Sequence, residues 1–305
     1  MPSKQSLLVT KLYEIWRTQP QDDELITNEY GWELLTTEPE GVDYLETDAG
    51  GVLAMWAIPK GADHDRVLLC LHGGGYIGGS IFTHRKMFAH LAKVVGARAL
   101  IINYRLLPEG VYPGPVDDVV ASYRWLLDQG IAADDIVFTG DSAGGGLSIT
   151  AQLRARDQGL PLPAAAIALS PWVDMEVTGE TMITNHGKDA LFNQDWIKQL
   201  AEGYLAGADP REPYATPLYG DLKGLGPIYI QVGDQELLLD ESRRLAAAAE
   251  NAGVEVRLDV FADQQHTFQM MAGRAAEADD AIRKLADWAR AKLGLPATAQ
   301  VQAAV

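Results

Sequence analysis

The stretch Gly140-Asp141-Ser142-Ala143-Gly144 holds residue types that could do chemistry. It follows the apolar run Ile136-Val137-Phe138, which reads as a buried strand, and precedes a segment from Gly145 to about Arg156 of helical composition. Gly-x-Ser-x-Gly at a strand-to-helix junction is a nucleophile elbow. The turn is tight enough to strain the serine backbone, and its neighbours two before and two after must lack a Cβ. The hydroxyl then stands clear of the sheet edge at a helix N-terminus, whose dipole favours a developing anion. The chemistry this serves is nucleophilic attack by Ser142. A glycine-rich turn with an incidental serine looks the same over five letters, so the rest of the chain must supply donors, a base and an acid.

Donors are offered upstream. His72-Gly73-Gly74-Gly75-Tyr76 directly follows the apolar run 67–71. A glycine run lets main-chain N–H groups point into an open site, where a tetrahedral intermediate's oxygen becomes charged. Losing one such donor costs about 10²–10³ in rate. The N–H after the nucleophile, on Ala143, is the other half of such an oxyanion hole. A phosphate-binding loop is the competing reading, but no Gly-Lys-Ser/Thr follows and no acidic residue stands in the right βαβ context. His72 reads as a loop-fixing hydrogen-bonder. The base should follow the serine and the acid in sequence. Of His64, His72, His84, His90, His186 and His266, only the last two lie beyond Ser142. His186 falls in the stretch read below as an inserted cap, where a solvent-facing or packing role is expected, whereas His266 lies between a strand and the last helix, where a loop returns over the sheet edge. His266 is the candidate base. The acid should sit just past the strand 227–232, among Asp234, Glu236, Asp240 and Glu241. Asp234 is close to the strand end, and Asp240 and Glu241 read as the first turn of a helix, where acids complement the dipole. Position favours Glu236, with Asp234 open. His84 and His90 are not spaced as ligands on one helix face and no His-Glu-x-x-His occurs, so neither metal nor cofactor is expected.

These residues need a scaffold. Residues 3–16 carry apolar groups at helical spacing, and 18–40 read as irregular or partly helical. Val42 to Thr47 and Val52 to Ile58 read as two strands of a hairpin. Apolar runs at 67–71, 97–102, 136–138, 164–169, 227–232 and 254–260 then alternate with helical patterns near 83–95, 115–129, 145–157, 239–252 and 275–293. The fold class this predicts is α/β, a mostly parallel sheet of eight strands with helices on both faces and antiparallel strands at one edge. About 55 residues between Ser170 and Pro227 break the rhythm; they are too long and too apolar for an ordinary connection. They read as a helical cap inserted over the C-terminal edge of the sheet. The Ala/Gln-rich tail 296–305 reads as frayed.

The bulk composition narrows the partners. Of 305 residues, 47% are hydrophobic and 22% charged, an ordinary globular balance. A net charge of −17 argues against nucleic acid and against anionic membrane surfaces. The lone Cys70, inside an apolar strand, fits a reducing compartment and a buried role. Residues 1–14 lack the apolar core of a signal peptide, and no run is long enough to span a membrane, so a cytoplasmic location is expected. An edge strand at 254–260 would allow a homodimer.

With His72-Gly73-Gly74-Gly75, Asn103-Tyr104-Arg105-Leu106-Leu107-Pro108-Glu109, Gly140-Asp141-Ser142-Ala143-Gly144-Gly145 and Ser170-Pro171-Trp172 together, residues 42–293 resemble a hormone-sensitive-lipase-type α/β-hydrolase, most closely the bacterial short-chain carboxylesterases. The resemblance implies a core over 41–170 and 226–295, capped by residues 1–40 and the insertion 171–225. It implies oxyanion N–H groups from Gly74, Gly75 and Ala143, and a serine hydrolase of small-molecule acyl esters, with lactones, carbamates or amides open to the same machinery. The family's acid lies in Asp-Pro-Leu followed by Asp-Glu; here that stretch is Glu236-Leu237-Leu238 followed by Asp240-Glu241, so Glu stands where Asp is usual. Asn103 replaces the Asp of the family's Asp-Tyr-Arg, and His266-Thr267-Phe268 fits its His-x-Phe. Non-catalytic receptors on this fold lose the histidine, which is present here.

Overall fold

The computed structural model describes residues 2–18 and 29–297. Helices α1 (Lys4–Thr18) and α2 (Glu29–Leu35) precede the hairpin of β1 (Val42–Asp48) and β2 (Leu53–Pro59). There follow β3 (Asp63–Leu71), α3 (Ile81–Val95), β4 (Ala97–Ile102), α4 (Gly114–Asp128), β5 (Ile136–Asp141), α5 (Ala143–Asp157) and β6 (Ala165–Leu169). The insertion carries α6 (Thr181–Thr184) and α7 (Gln194–Leu205), and after it come β7 (Ile228–Gly233), α8 (Leu239–Asn251), β8 (Val256–Phe261) and α9 (Ala276–Lys292).

The eight strands form one sheet in the order β1-β2-β4-β3-β5-β6-β7-β8. Only β2 runs against its neighbours, as the leading hairpin predicts; the other pairings are parallel. Alternation sends Val67, Leu69 and Leu71 to one face, against Val119 and Tyr123 of α4 and Leu147 of α5. Leu68 and Cys70 point to the other, against Phe88 and Leu91 of α3 and Leu285 of α9. Cys70 is buried there, and burial raises its thiol pKa well above the ordinary range. Parallel strands bring the loops after β3, β5, β7 and β8 to one edge. The register sets Leu71 beside Gly140 and Gly233 beside Phe261, so the glycine loop adjoins the elbow, and the loops carrying Glu236 and His266 adjoin each other. That edge, outside the carboxyl ends of the strands, is where sheets of this kind bind ligands.

Local chemistry sets element ends that apolar patterning leaves loose. Helix α3 begins at Ile81 because Ser80 Oγ accepts the Thr83 N–H while Thr83 Oγ1 accepts the Ser80 N–H, a reciprocal cap. Strand β3 begins at Asp63, ahead of its apolar run, with a register shift before Val67. The insertion holds two short helices in mostly irregular backbone, yet it is packed: Met175, Met182, Leu191 and Ile197 are buried, and Tyr204 of α7 stacks on Tyr76 with ring centroids 3.7 Å apart. Of the region 18–40, residues 19–28 lie outside the described residues, as do 298–305 of the tail. Among the described residues no helix is long and apolar enough to cross a membrane.

Candidate active site

Ser142 sits at the junction of β5 and α5 with φ 53° and ψ −119°, a conformation an L-residue adopts only under strain. The flanking glycines are a steric necessity. A Cβ on Gly140 would lie 2.3 Å from the Gly144 carbonyl oxygen, and one on Gly144 would lie 2.0 Å from that of Leu71. The elbow is therefore wedged against the end of β3, where the glycine loop begins. The Ala143 N–H is the first of α5 and has no partner in the preceding turn of that helix.

Asp141 joins the two loops. Its Oδ1 accepts the Gly73 N–H at 3.0 Å, and its Oδ2 faces His84 Nε2 of α3 at 3.4 Å. Gly74 has φ 119°, and a Cβ there would strike the Gly78 carbonyl oxygen at 2.1 Å. The N–H groups of Gly74 and Gly75 donate to no acceptor among the described residues, and both glycines line the cleft in front of Ser142. His72 is fully buried, with Nδ1–H donating to the Gly73 carbonyl at 2.8 Å and its ring stacked on Tyr104, whose hydroxyl donates to the His72 carbonyl at 2.6 Å. Burial, helped by nearby His84, pushes its pKa down to about 3, so it stays neutral and holds the loop.

On the other side of the serine, His266 follows β8 and Glu236 follows β7. Glu236 Oε2 lies 2.8 Å from His266 Nδ1; a carboxylate only accepts, so Nδ1 carries the proton and Nε2 is the free acceptor. Nε2 is buried with no hydrogen-bond partner among the described residues, in the cleft that Ser142 also lines. Glu236 is itself fixed: its Oε1 accepts the Gly233 N–H at 2.6 Å and the Ser170 hydroxyl at 2.7 Å. Burial works to lower the His266 pKa, but the hydrogen bond to Glu236 and the charges of Glu236, Asp189 and Asp141 outweigh it, and the net shift is upward. Asp234 does not reach the imidazole; its Oδ1 accepts the Asp263 N–H at 2.8 Å and the Gln235 amide at 2.6 Å. His186 is exposed in the insertion.

Ser142 stands between two spaces. A cleft of ≈ 900 Å³, counting its open mouth, runs past His266 and His84 to Trp16, Arg17 and Trp32. A second, adjoining pocket of ≈ 240 Å³ is lined by Trp172, Phe192, Ile197, Leu200 and Leu238.

Residues 68–270 match a family model described as alpha/beta hydrolase fold. An acetyl-hydrolase of Streptomyces hygroscopicus is 42% identical over 219 residues, 72% of this chain and 73% of that protein. An esterase of Acinetobacter venetianus is 34% identical over 75% of this chain and 76% of its own length. A crystal structure of an esterase from the bacterial hormone-sensitive lipase family superposes with a TM-score of 0.93 at 39% identity, covering 96% of this chain and 100% of that one. The chain belongs to this family of α/β-hydrolases.

The structure adds residues that motif reading passes over. Trp16 and Arg17 reach the cleft from the end of α1 and Trp32 from α2, with the two indoles 5.1 Å apart and Trp32 stacked over His84 at 6.4 Å. Tyr13 donates its hydroxyl to the His266 carbonyl at 3.1 Å. The helical spacing of residues 3–16 marks α1 as amphipathic, but nothing in it says which loop its buried face meets. Asp189, fully buried in the insertion, lies in a polar stretch, Gly187-Lys188-Asp189, that reads as exposed turn.

Proposed function

We propose that this hydrolase cleaves short-chain carboxylic esters through a covalent acyl-enzyme on Ser142. The observation that carries the reading is the His266 imidazole, protonated at Nδ1 by its bond to Glu236 and presenting an unclaimed Nε2 to the cleft Ser142 lines. Ser142 Oγ attacks the ester carbonyl carbon while His266 Nε2 takes its proton. Glu236 holds the tautomer and stabilises the imidazolium. The N–H groups of Gly74, Gly75 and Ala143 bind the carbonyl oxygen as it becomes an oxyanion. His266 then gives the proton to the leaving alkoxide. Water enters, loses a proton to His266 and attacks the acyl carbon, and collapse of the second tetrahedral intermediate returns the proton to Ser142 and frees the acid.

Size preference follows from where the proton must go. The leaving alcohol has to sit beside His266, which lines the large cleft and not the small pocket. The acyl group then occupies the small pocket, whose walls of Trp172, Phe192, Ile197, Leu200 and Leu238 admit only a few carbons. This agrees with the acetyl-hydrolase name of the Streptomyces relative. Initial rates on p-nitrophenyl acetate, butyrate, octanoate and laurate test it: kcat/KM should peak at the shorter two and fall steeply beyond. A preference for laurate would overturn the assignment of the acyl pocket.

A further inference from the structure

Asp189 lies between α6 and α7 with its side chain fully buried. Its Oδ1 accepts the N–H groups of Leu191 and Phe192, each at 2.9 Å, and its Oδ2 accepts that of Leu237 at 2.9 Å. Leu237 directly follows Glu236, so this carboxylate fastens the insertion to the loop that carries the acid. Two neighbours reinforce the seam. Asn185 Nδ2 donates to the carbonyls of Asp234 and Glu236 at 2.9 and 2.8 Å. Gln265, next to His266, accepts the Ala190 N–H at 2.8 Å and donates to the Lys188 carbonyl at 2.9 Å. Phe192, whose N–H Asp189 holds, sets its ring edge-on to the His266 imidazole at 4.9 Å between centroids.

A buried carboxylate is a costly way to close a turn; a serine or threonine hydroxyl can cap such N–H groups without a charge. The charge is anchored beside the base, because Phe192, whose N–H the carboxylate holds, packs its ring on the imidazole. We propose that Asp189 is a positioning residue for the hydrolysis: it locks the Glu236 loop to the insertion and, through its charge, stabilises the His266 imidazolium that forms as Ser142 loses its proton. This rests on the assignment of Ser142, His266 and Glu236 to the chemistry. The charged groups around the pair are few. Glu236 and Asp141 act on the imidazole beside Asp189, with His84 of α3 facing Asp141. Arg17 at the end of α1 donates to the Asp189 carbonyl at 3.2 Å, and Lys188 is spent on Asn185 Oδ1 at 3.0 Å. Burial pushes the Asp189 carboxyl pKa up, while His266 and the Leu237 and Phe192 N–H groups pull it back.

The test is Asp189→Asn, with Asp189→Ser as a second uncharged variant that can still cap Leu191 and Phe192. Both are assayed for kcat and KM on p-nitrophenyl acetate across pH, with thermal melting alongside. The expected result is kcat lower by about tenfold or more, KM changed by less than about threefold, and the acid limb of kcat/KM moved down by about half a pH unit or more. The downfield proton resonance of His266 Nδ1–H should titrate with the same displacement. A merely architectural role lowers the rate and leaves the limb in place, and that result overturns the proposal; so does failure of both variants to fold. Ser142→Ala separates the two levels. If it is inert and the limb is unmoved in Asp189→Asn, only the role of Asp189 falls; if it is active, the underlying assignment falls.

Discussion

Replacing Glu236 by Gln should leave a folded protein with almost no activity, and the reason lies in the geometry of donors. Glu236 Oε1 faces two groups that donate to it, the Gly233 N–H at 2.6 Å and the Ser170 hydroxyl at 2.7 Å. Ser170 Oγ also accepts the Thr267 N–H at 3.2 Å, which commits its own proton to Glu236. A glutamine must therefore put its carbonyl oxygen on that side and its NH₂ toward His266 Nδ1. Facing a donor, Nδ1 becomes the acceptor and the imidazole proton moves to Nε2, where it can no longer take the proton of Ser142. A wrong tautomer of this kind costs about 10⁴ in kcat, equivalent to roughly 5.5 kcal/mol of transition-state stabilisation. Asp234→Asn touches only bonds to the Asp263 N–H and the Gln235 amide, neither of them to the imidazole, and should stay within about threefold of wild type, since such a hydrogen bond is worth about 1 kcal/mol. The assay is kcat and KM on p-nitrophenyl acetate, with melting temperatures to show that both variants fold. A Glu236→Gln enzyme within tenfold of wild type, or an Asp234→Asn enzyme as damaged as it, would refute the reasoning.

Gly144→Ala drives a methyl group to 2.0 Å from the Leu71 carbonyl, so denaturant unfolding should show a loss of about 3 kcal/mol or more, and a near-neutral result would contradict the elbow geometry. The His266 pKa is raised above the ordinary 6.5 and catalysis needs the neutral base, so kcat/KM should fall as pH drops through a midpoint above 6.5; a limb below that value would count against the charges placed around it. Leu200→Ala enlarges the small pocket beside Ser142 and should raise the octanoate-to-acetate ratio of kcat/KM by about tenfold, whereas an unchanged ratio would place the acyl group elsewhere.

How much of this is legible in the sequence depends on the range of the interaction that fixes it. The sheet is readable because the unbroken apolar run Val67-Leu68-Leu69-Cys70-Leu71 reports two covered faces directly, and the elbow because Gly140 and Gly144 are dictated by clashes within a few residues and with the adjoining strand. The choice between Asp234 and Glu236 is not, because a single residue of loop, Gln235, separates opposite outcomes: one carboxylate turns to the Asp263 N–H, the other to the imidazole. Asp189 and His84 are charged or polar in sequence and buried in the fold; beyond their local bonds, the Leu237 N–H reaches Asp189 only because the insertion packs on the loop after β7, and Asp141 reaches His84 only because α3 packs beside the elbow. Trp16, Arg17 and Trp32 enter the cleft from segments more than a hundred residues upstream of Ser142, a distance no local periodicity spans.

The most direct measurement of the central claim is mass spectrometry of the enzyme quenched during turnover of p-nitrophenyl acetate, with the modified peptide sequenced. The account predicts one acetyl group per chain on the peptide containing Ser142, absent in Ser142→Ala, appearing within the p-nitrophenol burst. Steady turnover by Ser142→Ala at near wild-type rate, or an acetyl group carried by any other residue in active enzyme, would contradict it.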